Sequence, residues 1–187
     1  MTSFDFETLR VQIREAARTA FGTLRAAHPN ERFYAMALYT DDGAMTVCPS
    51  ANSEEALQRI LVDNDCTDPR DIAYTRWGTA EWAYEDQHAE GFNAVCDRLR
   101  AHVLASGDDE RALAAFGSRL NDTMVQALAE LDQEGFFGTG ADRQALTLFC
   151  SISDSDDAEA FEDDSAKRLN PPAVFALFKA RWGASSA

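Results

Sequence analysis

Between Tyr74 and Glu85 the chain reads Tyr-Thr-Arg-Trp-Gly-Thr-Ala-Glu-Trp-Ala-Tyr-Glu, a stretch that holds two of the three tryptophans, two tyrosines and two carboxylates four positions apart. Residues of these types suit binding, because Trp, Tyr and Arg carry most of the energy at protein interfaces and carboxylates meet basic groups on a partner. On this reading Tyr74, Arg76, Trp77, Glu81, Trp82, Tyr84 and Glu85 form a partner-binding patch. The same residues also suit a cluster at the edge of the core, with rings buried and their polar atoms hydrogen-bonded at the rim. A third reading is chemical. A helix beginning at Ala80 would place Glu81, Glu85 and His88 on one face, where they would supply acid and base groups for an enzyme of unassigned reaction. Burial discriminates among these, since catalytic carboxylates line a partly desolvated pocket whereas a binding surface is broad and exposed.

Other reactive residues lie in weaker contexts. A phosphate-cradling loop needs a preceding strand and a Lys followed by Ser or Thr, and Gly135-x-x-Gly138-x-Gly140 has neither. The histidines, His28, His88 and His102, have no partner at metal-ligand spacing, and Cys48, Cys66, Cys96 and Cys150 contain no Cys-x-x-Cys pair. The expectation is four reduced, mostly buried thiols. No serine stands in a Gly-x-Ser-x-Gly elbow. The run from Asp154 resembles the start of a calcium loop but lacks the sixth-place glycine and has Ser165 at the twelfth place. No metal and no cofactor is expected.

The net charge of -15 disfavours nucleic acid and anionic membrane surfaces as partners, because both require clustered Lys and Arg. Only two lysines, Lys167 and Lys179, are present. A field of this sign steers a basic protein toward the surface, although it also serves plain solubility. At 187 residues one domain spanning 1–187 is the default. The residues from Met1 to Glu7 carry neither a positive cluster nor an apolar stretch, and the longest apolar run, Phe33 to Tyr39, is too short to cross a bilayer. The cytoplasm is therefore the expected compartment.

The elements that must position these groups follow from periodicity. Apolar residues at three- and four-residue steps predict a helix over Phe4–Ala27, stopped by His28-Pro29-Asn30. Phe33–Thr40 reads as a strand covered on both faces, and Asp41-Asp42-Gly43 turns it back into Met45–Cys48, giving a hairpin over 33–48. Ser53 caps a helix whose first turn carries Glu54 and Glu55. The segment 72–77 reads as a further short strand or extended stretch. A helix from Ala80 then reaches Val103, with a break at Gly91. Beyond the loop Ser106-Gly107-Asp108, a helix over Glu110–Leu131 turns inward Leu113, Phe116, Leu120, Met124, Leu128 and Leu131. Strand Ala145–Ser153 follows, then an acidic stretch from Asp154 to Asp164. Pro171 and Pro172 open a last helix with Val174, Phe175, Leu177, Phe178 and Trp182 inward. The fold class is α+β: a small, mainly antiparallel sheet made of the hairpin, strand 145–153 and the 72–77 segment, packed with five or six helices.

Four segments together resemble one family. Phe33-Tyr34-Ala35-Met36-Ala37-Leu38-Tyr39-Thr40-Asp41-Asp42-Gly43, Val47-Cys48-Pro49-Ser50-Ala51-Asn52-Ser53-Glu54-Glu55-Ala56-Leu57, Arg76-Trp77 with Glu81-Trp82-Ala83-Tyr84-Glu85, and Arg168-Leu169-Asn170-Pro171 look like the bacterial DUF4303 domain family, over nearly the whole chain. The family has no assigned function, so the resemblance implies no catalytic residue. Small bacterial families of this sort are often encoded beside polymorphic toxins and act as immunity proteins. The leading expectation is therefore a protein-binding module, immunity- or antitoxin-like, that masks a basic toxin or effector. An enzyme at Glu81, Glu85 and His88, or an adaptor whose acidity has no specific role, are the alternatives. On the binding reading, Trp82→Ala and Glu81→Lys should fold normally and lose partner binding. None of these features specifies an oligomeric state.

Overall fold

The computed structural model describes residues 4–107 and 109–183. The expectations that touch Met1–Ser3 and Asp108 lie outside the described residues. Helix α1 spans Phe6–Ala27 and starts where the Asp5 side chain accepts the Thr8 N–H. Its stripe of Leu9, Ile13, Ala16, Ala17, Ala20, Phe21 and Leu24 is buried, as the periodicity required. The chain then enters β1 (Phe33–Asp41), turns, and returns as β2 (Cys48–Ser53).

The turn differs from its sequence signal in one respect. Ala44, not Gly43, takes the left-handed conformation, at φ 55. Gly43 contributes compactness instead: a Cβ there would stand 2.9 Å from both Asp41 Oδ2 and Met45 Cε, and those side-chain ends would have to shift. The Asp41 carboxylate organises the loop by accepting the N–H groups of Met45 at 3.0 Å and Thr46 at 2.6 Å. The returning strand also begins later than Met45 and runs through Cys48-Pro49-Ser50-Ala51-Asn52-Ser53, a sequence with little strand propensity. Pairing with the apolar β1 and burial of all but Cys48 override propensity here.

Helix α2 (Glu54–Asp63) begins at Ser53, whose Oγ accepts the Ala56 N–H at 3.0 Å. The 72–77 segment is not a strand. It is the body of α3 (Pro69–Trp77), because Asp68 caps the Arg70 N–H at 2.8 Å and Pro69 occupies the first turn. Ile72, Thr75 and the aromatic residues mimic a strand locally, and the cap outweighs them.

The continuous helix from Ala80 is also corrected. A 3₁₀ turn (Thr79–Glu81), a two-residue strand β3 (Tyr84–Glu85) and a second 3₁₀ turn (Ala89–Phe92) precede α4 (Asn93–Ser106). Asp86 and His88 stand at φ 53 and 58, left-handed positions that no right-handed helix can contain. Gly91 allows the second turn to lie against α1, since a Cβ there would meet Ala16 Cα and Cβ at 3.4 Å.

Helix α5 (Glu110–Gln133) is capped by Asp109 and buries Phe116, Leu120, Met124, Leu128 and Leu131, while Leu113 is only half-buried. Short α6 (Gly140–Gln144) leads into β4 (Thr147–Ser153), followed by α7 (Ala158–Leu169) and α8 (Pro172–Lys179). In α8, Val174 and Phe178 face inward as expected and Phe175 packs partly, but Leu177 is 76% exposed and Trp182, beyond the helix, is also exposed. An eight-residue helix presents one stripe, and Val174 and Phe178 fill it.

The fold is α+β, with eight α-helices among the described residues rather than five or six. The sheet is mixed, ordered β3-β2-β1-β4: β2 lies antiparallel to both β1 and β3, and β4 runs parallel to β1. Both faces of β1 are covered. Met36 and Leu38 join the core formed with α1, α4 and α5, whereas Ala35 and Ala37 join a second core with Leu57, Trp82, Phe149 and Phe178. Among the described residues no helix is long and apolar enough to cross a membrane.

The outer edge of β4 is closed by side chains of α7 and the residue after it. Asn170 accepts the Leu148 N–H at 2.9 Å and donates to the Leu148 carbonyl at 2.6 Å. Ser165 accepts the Cys150 N–H at 2.9 Å and donates to its carbonyl at 3.1 Å. Two side chains thus imitate a fifth strand and remove a template for edge-to-edge pairing.

Candidate functional site

The aromatic segment divides into three environments. Arg76, Trp77 and Trp82 face the second core. Trp82 is 4% exposed, donates its Nε1–H to the Arg76 carbonyl at 3.0 Å, and meets Phe149 edge-on at 5.6 Å between centroids. The Tyr34 hydroxyl donates to that same carbonyl at 2.6 Å and accepts the Asn52 amide at 3.1 Å. Above the Tyr34 ring, 4.1 Å from its centroid, lies the Arg76 guanidinium, paired in fork geometry with Glu54 at 2.6 and 3.0 Å. Trp77 packs edge-on against Phe178 at 5.2 Å. These contacts are what a core-edge cluster predicts, and they leave Trp82 no surface on which to meet a partner.

Tyr84 points through the sheet to the opposite side. Its hydroxyl donates to Glu31, lies 3.4 Å from His28 Nδ1 and accepts from Arg59 at 3.2 Å. Glu31 also accepts from the Ser53 hydroxyl and from Arg59 at 3.0 Å. The set His28, Glu31, Ser53, Arg59 and Tyr84 joins the end of α1, the start of α2 and β3. Sequence reading missed this cluster, because its members are scattered over 57 positions and share no motif; the one local signal was Ser53 as a cap.

Burial pushes the Glu31 carboxyl up, and the bonds from Ser53, Tyr84 and Arg59 more than reverse it, holding it below the usual carboxylate range. Burial and the neighbouring Glu31 raise the Tyr84 hydroxyl, keeping it a donor. A carboxylate whose folded pKa is depressed contributes stability that is present above its unfolded value and lost as pH falls through the folded one. Glu31→Gln should therefore destabilise the protein by about 1–3 kcal/mol at pH 7. The gap should shrink below about pH 4.3, the ordinary glutamate value. Urea unfolding of both proteins at several pH values checks this, and a gap that stays constant into acid would contradict it.

Tyr74, Glu81 and Glu85 remain outside. Tyr74 is 56% exposed and lines a groove of about 710 Å³ with Trp182, Arg70 and Asp71. Glu81 and Glu85 are exposed, together with Asp86 and Glu90. Glu85 accepts the Tyr39 hydroxyl at 3.0 Å, which fixes its direction beside β3. Glu81, Glu85 and His88 do not share a helix face: they occupy a 3₁₀ turn, a strand and a left-handed residue. The acid–base reading rested on that face and loses its geometric basis.

A row of exposed carboxylates on residues 81–90 thus flanks β3, an outer strand of the sheet, with the buried rings of Trp82 and Tyr84 anchoring the segment to the two opposite cores. Such an arrangement concentrates negative charge along one edge of the sheet. Comparison with curated proteins and with solved structures returns no match. The model of DUF4303, described as a domain of unknown function, matches residues 13–171, which contain the whole sheet, the acidic segment and most of both cores. The chain belongs to the DUF4303 family.

Proposed function

We propose that this chain is a protein-binding module that presents the acidic edge around β3 to a basic partner, in the manner of an immunity or antitoxin-like protein covering a toxin or effector. The observation that carries this reading is the placement of Glu81, Glu85, Asp86 and Glu90, all exposed, along a segment held rigid by the burial of Trp82, Tyr84 and Phe92. Rigidity lowers the entropy lost on association, and like charges along one edge steer an oppositely charged protein. The net charge of -15 extends the same field over the molecule. Within the original patch, the residues available to a partner are Tyr74, Glu81 and Glu85; Arg76, Trp77, Trp82 and Tyr84 hold them in place.

The double variant Glu81→Lys/Glu90→Lys tests the proposal. Neither side chain is needed by the core, so its melting temperature should match wild type. Its affinity for the basic protein that co-purifies with wild type from the native host should fall roughly tenfold or more, and wild-type binding should weaken steeply with salt. Titration calorimetry at two ionic strengths measures both. Equal affinity of wild type and variant, or binding indifferent to salt, would reject the acidic edge as the contact.

A further inference from the structure

The groove that holds Tyr74 is one half of a larger surface between α3 and the residues that follow α8. A second hollow of about 600 Å³ adjoins it, and Tyr74, Trp182 and Gly183 line both. The two rings therefore stand as a ridge between two hollows. Tyr74 is 56% exposed and Trp182 43%, and among the described residues they are the only aromatic members of the exposed large hydrophobic set. The base of the ridge is rigid. Arg181, next to Trp182 in the chain, is buried, with its guanidinium 4.0 Å from the Phe178 ring centroid and paired with Asp163 at 2.6 Å and Glu162 at 3.1 Å. Charges around the ridge balance: Arg70 and Asp71 line the first hollow, and Glu159 and Lys179, which also pairs with Asp163, line the second. That sets this surface apart from the acidic edge at β3 and from a molecule whose net charge is -15.

We propose that two copies of this chain associate through the Tyr74–Trp182 ridge as a two-fold dimer, the ridge of each copy seated in a hollow of the other.

The charge pattern selects this occupant. A strongly basic partner gains little where Arg70 and Lys179 already stand, whereas a surface that carries both signs can meet itself: a two-fold axis brings the cations of one copy to the carboxylates of the other. The shape is self-complementary in the same sense, since ridge and hollow lie side by side on one face. Tyr and Trp are the residue types that dominate interface energies, and their few rotatable bonds, on a base already fixed, keep the entropy of ordering small. The net charge supplies the opposing effect, because two copies at -15 each repel one another over long range. Salt screens that repulsion more than it screens close pairs in a covered interface. Self-association therefore tightens as salt rises, the opposite sign to the docking of a basic protein on the acidic edge. Of the residues offered to such a partner only Tyr74 lines this surface, and the dimer does not depend on that reading.

Sedimentation equilibrium of the full-length protein should show a monomer–dimer equilibrium that is tighter at about 0.15 M than at about 0.01 M salt. Trp182→Glu should raise the dissociation constant roughly tenfold or more, and Arg70→Glu should raise it too by tipping the balanced surface toward acid. Leu104→Glu, at an exposed leucine of α4 outside this surface, should leave it unchanged. Melting curves of dilute Trp182→Glu should match those of wild type; if that variant fails to fold, Tyr74→Glu takes its place. A wild type that stays monomeric up to about 1 mM would overturn the proposal. So would a dimer indifferent to both aromatic substitutions, one that Leu104→Glu loosens equally, or one that loosens as salt rises.

Discussion

Trp82→Ala should destabilise the fold by about 3–5 kcal/mol, the usual cost of deleting a buried tryptophan. For a chain of this size that is a fall of roughly 10 °C or more in melting temperature. The loss has three sources. The ring fills the second core between Tyr34 and Phe149, at centroid distances of 6.3 and 5.6 Å. Its N–H satisfies the Arg76 carbonyl at the end of α3. And the residue anchors the segment that carries Glu81 and Glu85 to the sheet. Trp82→Phe should recover most of the packing and none of the hydrogen bond, placing it between wild type and alanine. Thermal melts followed by circular dichroism measure the series. A Trp82→Ala protein within about 1 kcal/mol of wild type would contradict the burial and restore Trp82 as a contact residue.

Arg143→Met is the second large loss, again about 3–5 kcal/mol, because it removes one member of a buried polar network and strands the others. Arg143 is buried, and its guanidinium serves three elements at once: Asp132 on α5, the Leu146 carbonyl at 2.7 Å before β4, and the Leu169 carbonyl at 2.7 Å together with Asn170 Oδ1 at 3.3 Å after α7. The same Asn170 seals the edge of β4. Losing the arginine thus loosens both the entry to β4 and the side chain that closes its edge. Arg143→Lys should restore only a small part of the stability, since an ammonium cannot reproduce the planar fork that reaches four acceptors. Urea denaturation of wild type, Arg143→Met and Arg143→Lys gives the ordering, and a lysine variant equal to wild type would show that charge alone, not geometry, is required.

These contacts give physical content to segments that the sequence singled out only as a pattern. In Arg168-Leu169-Asn170-Pro171, Arg168 pairs with Asp122 at 2.8 Å, Leu169 enters the main core, Asn170 bonds β4, and Pro171 precedes α8 at φ -55. In Arg76-Trp77 the carbonyl of the arginine matters as much as its side chain, because it receives both the Tyr34 hydroxyl and the Trp82 indole.

What the sequence determined by itself was local. The stripes of α1 and α5, the Ser53 cap, the prolines that open α8 and the doubly covered strand β1 follow from spacing and capping chemistry that act within a few residues, so they were legible without a structure. The tertiary structure decided everything that depends on distant partners. Pro49, Ser50 and Asn52 form a strand because β1 is there to pair with them. Residues 72–77 form a helix because the cap at Asp68 prevails over β-branched and aromatic side chains. β4 lies parallel to β1 because α2 through α6 intervene between them. The environment of the aromatic segment was decided in the same way. Trp82 and Tyr84 are two positions apart yet serve opposite faces of the sheet, while Glu81 and Glu85 stay in water. A list of residue types cannot reveal which side of a sheet a ring enters, since that depends on register and on the helices that cover each face.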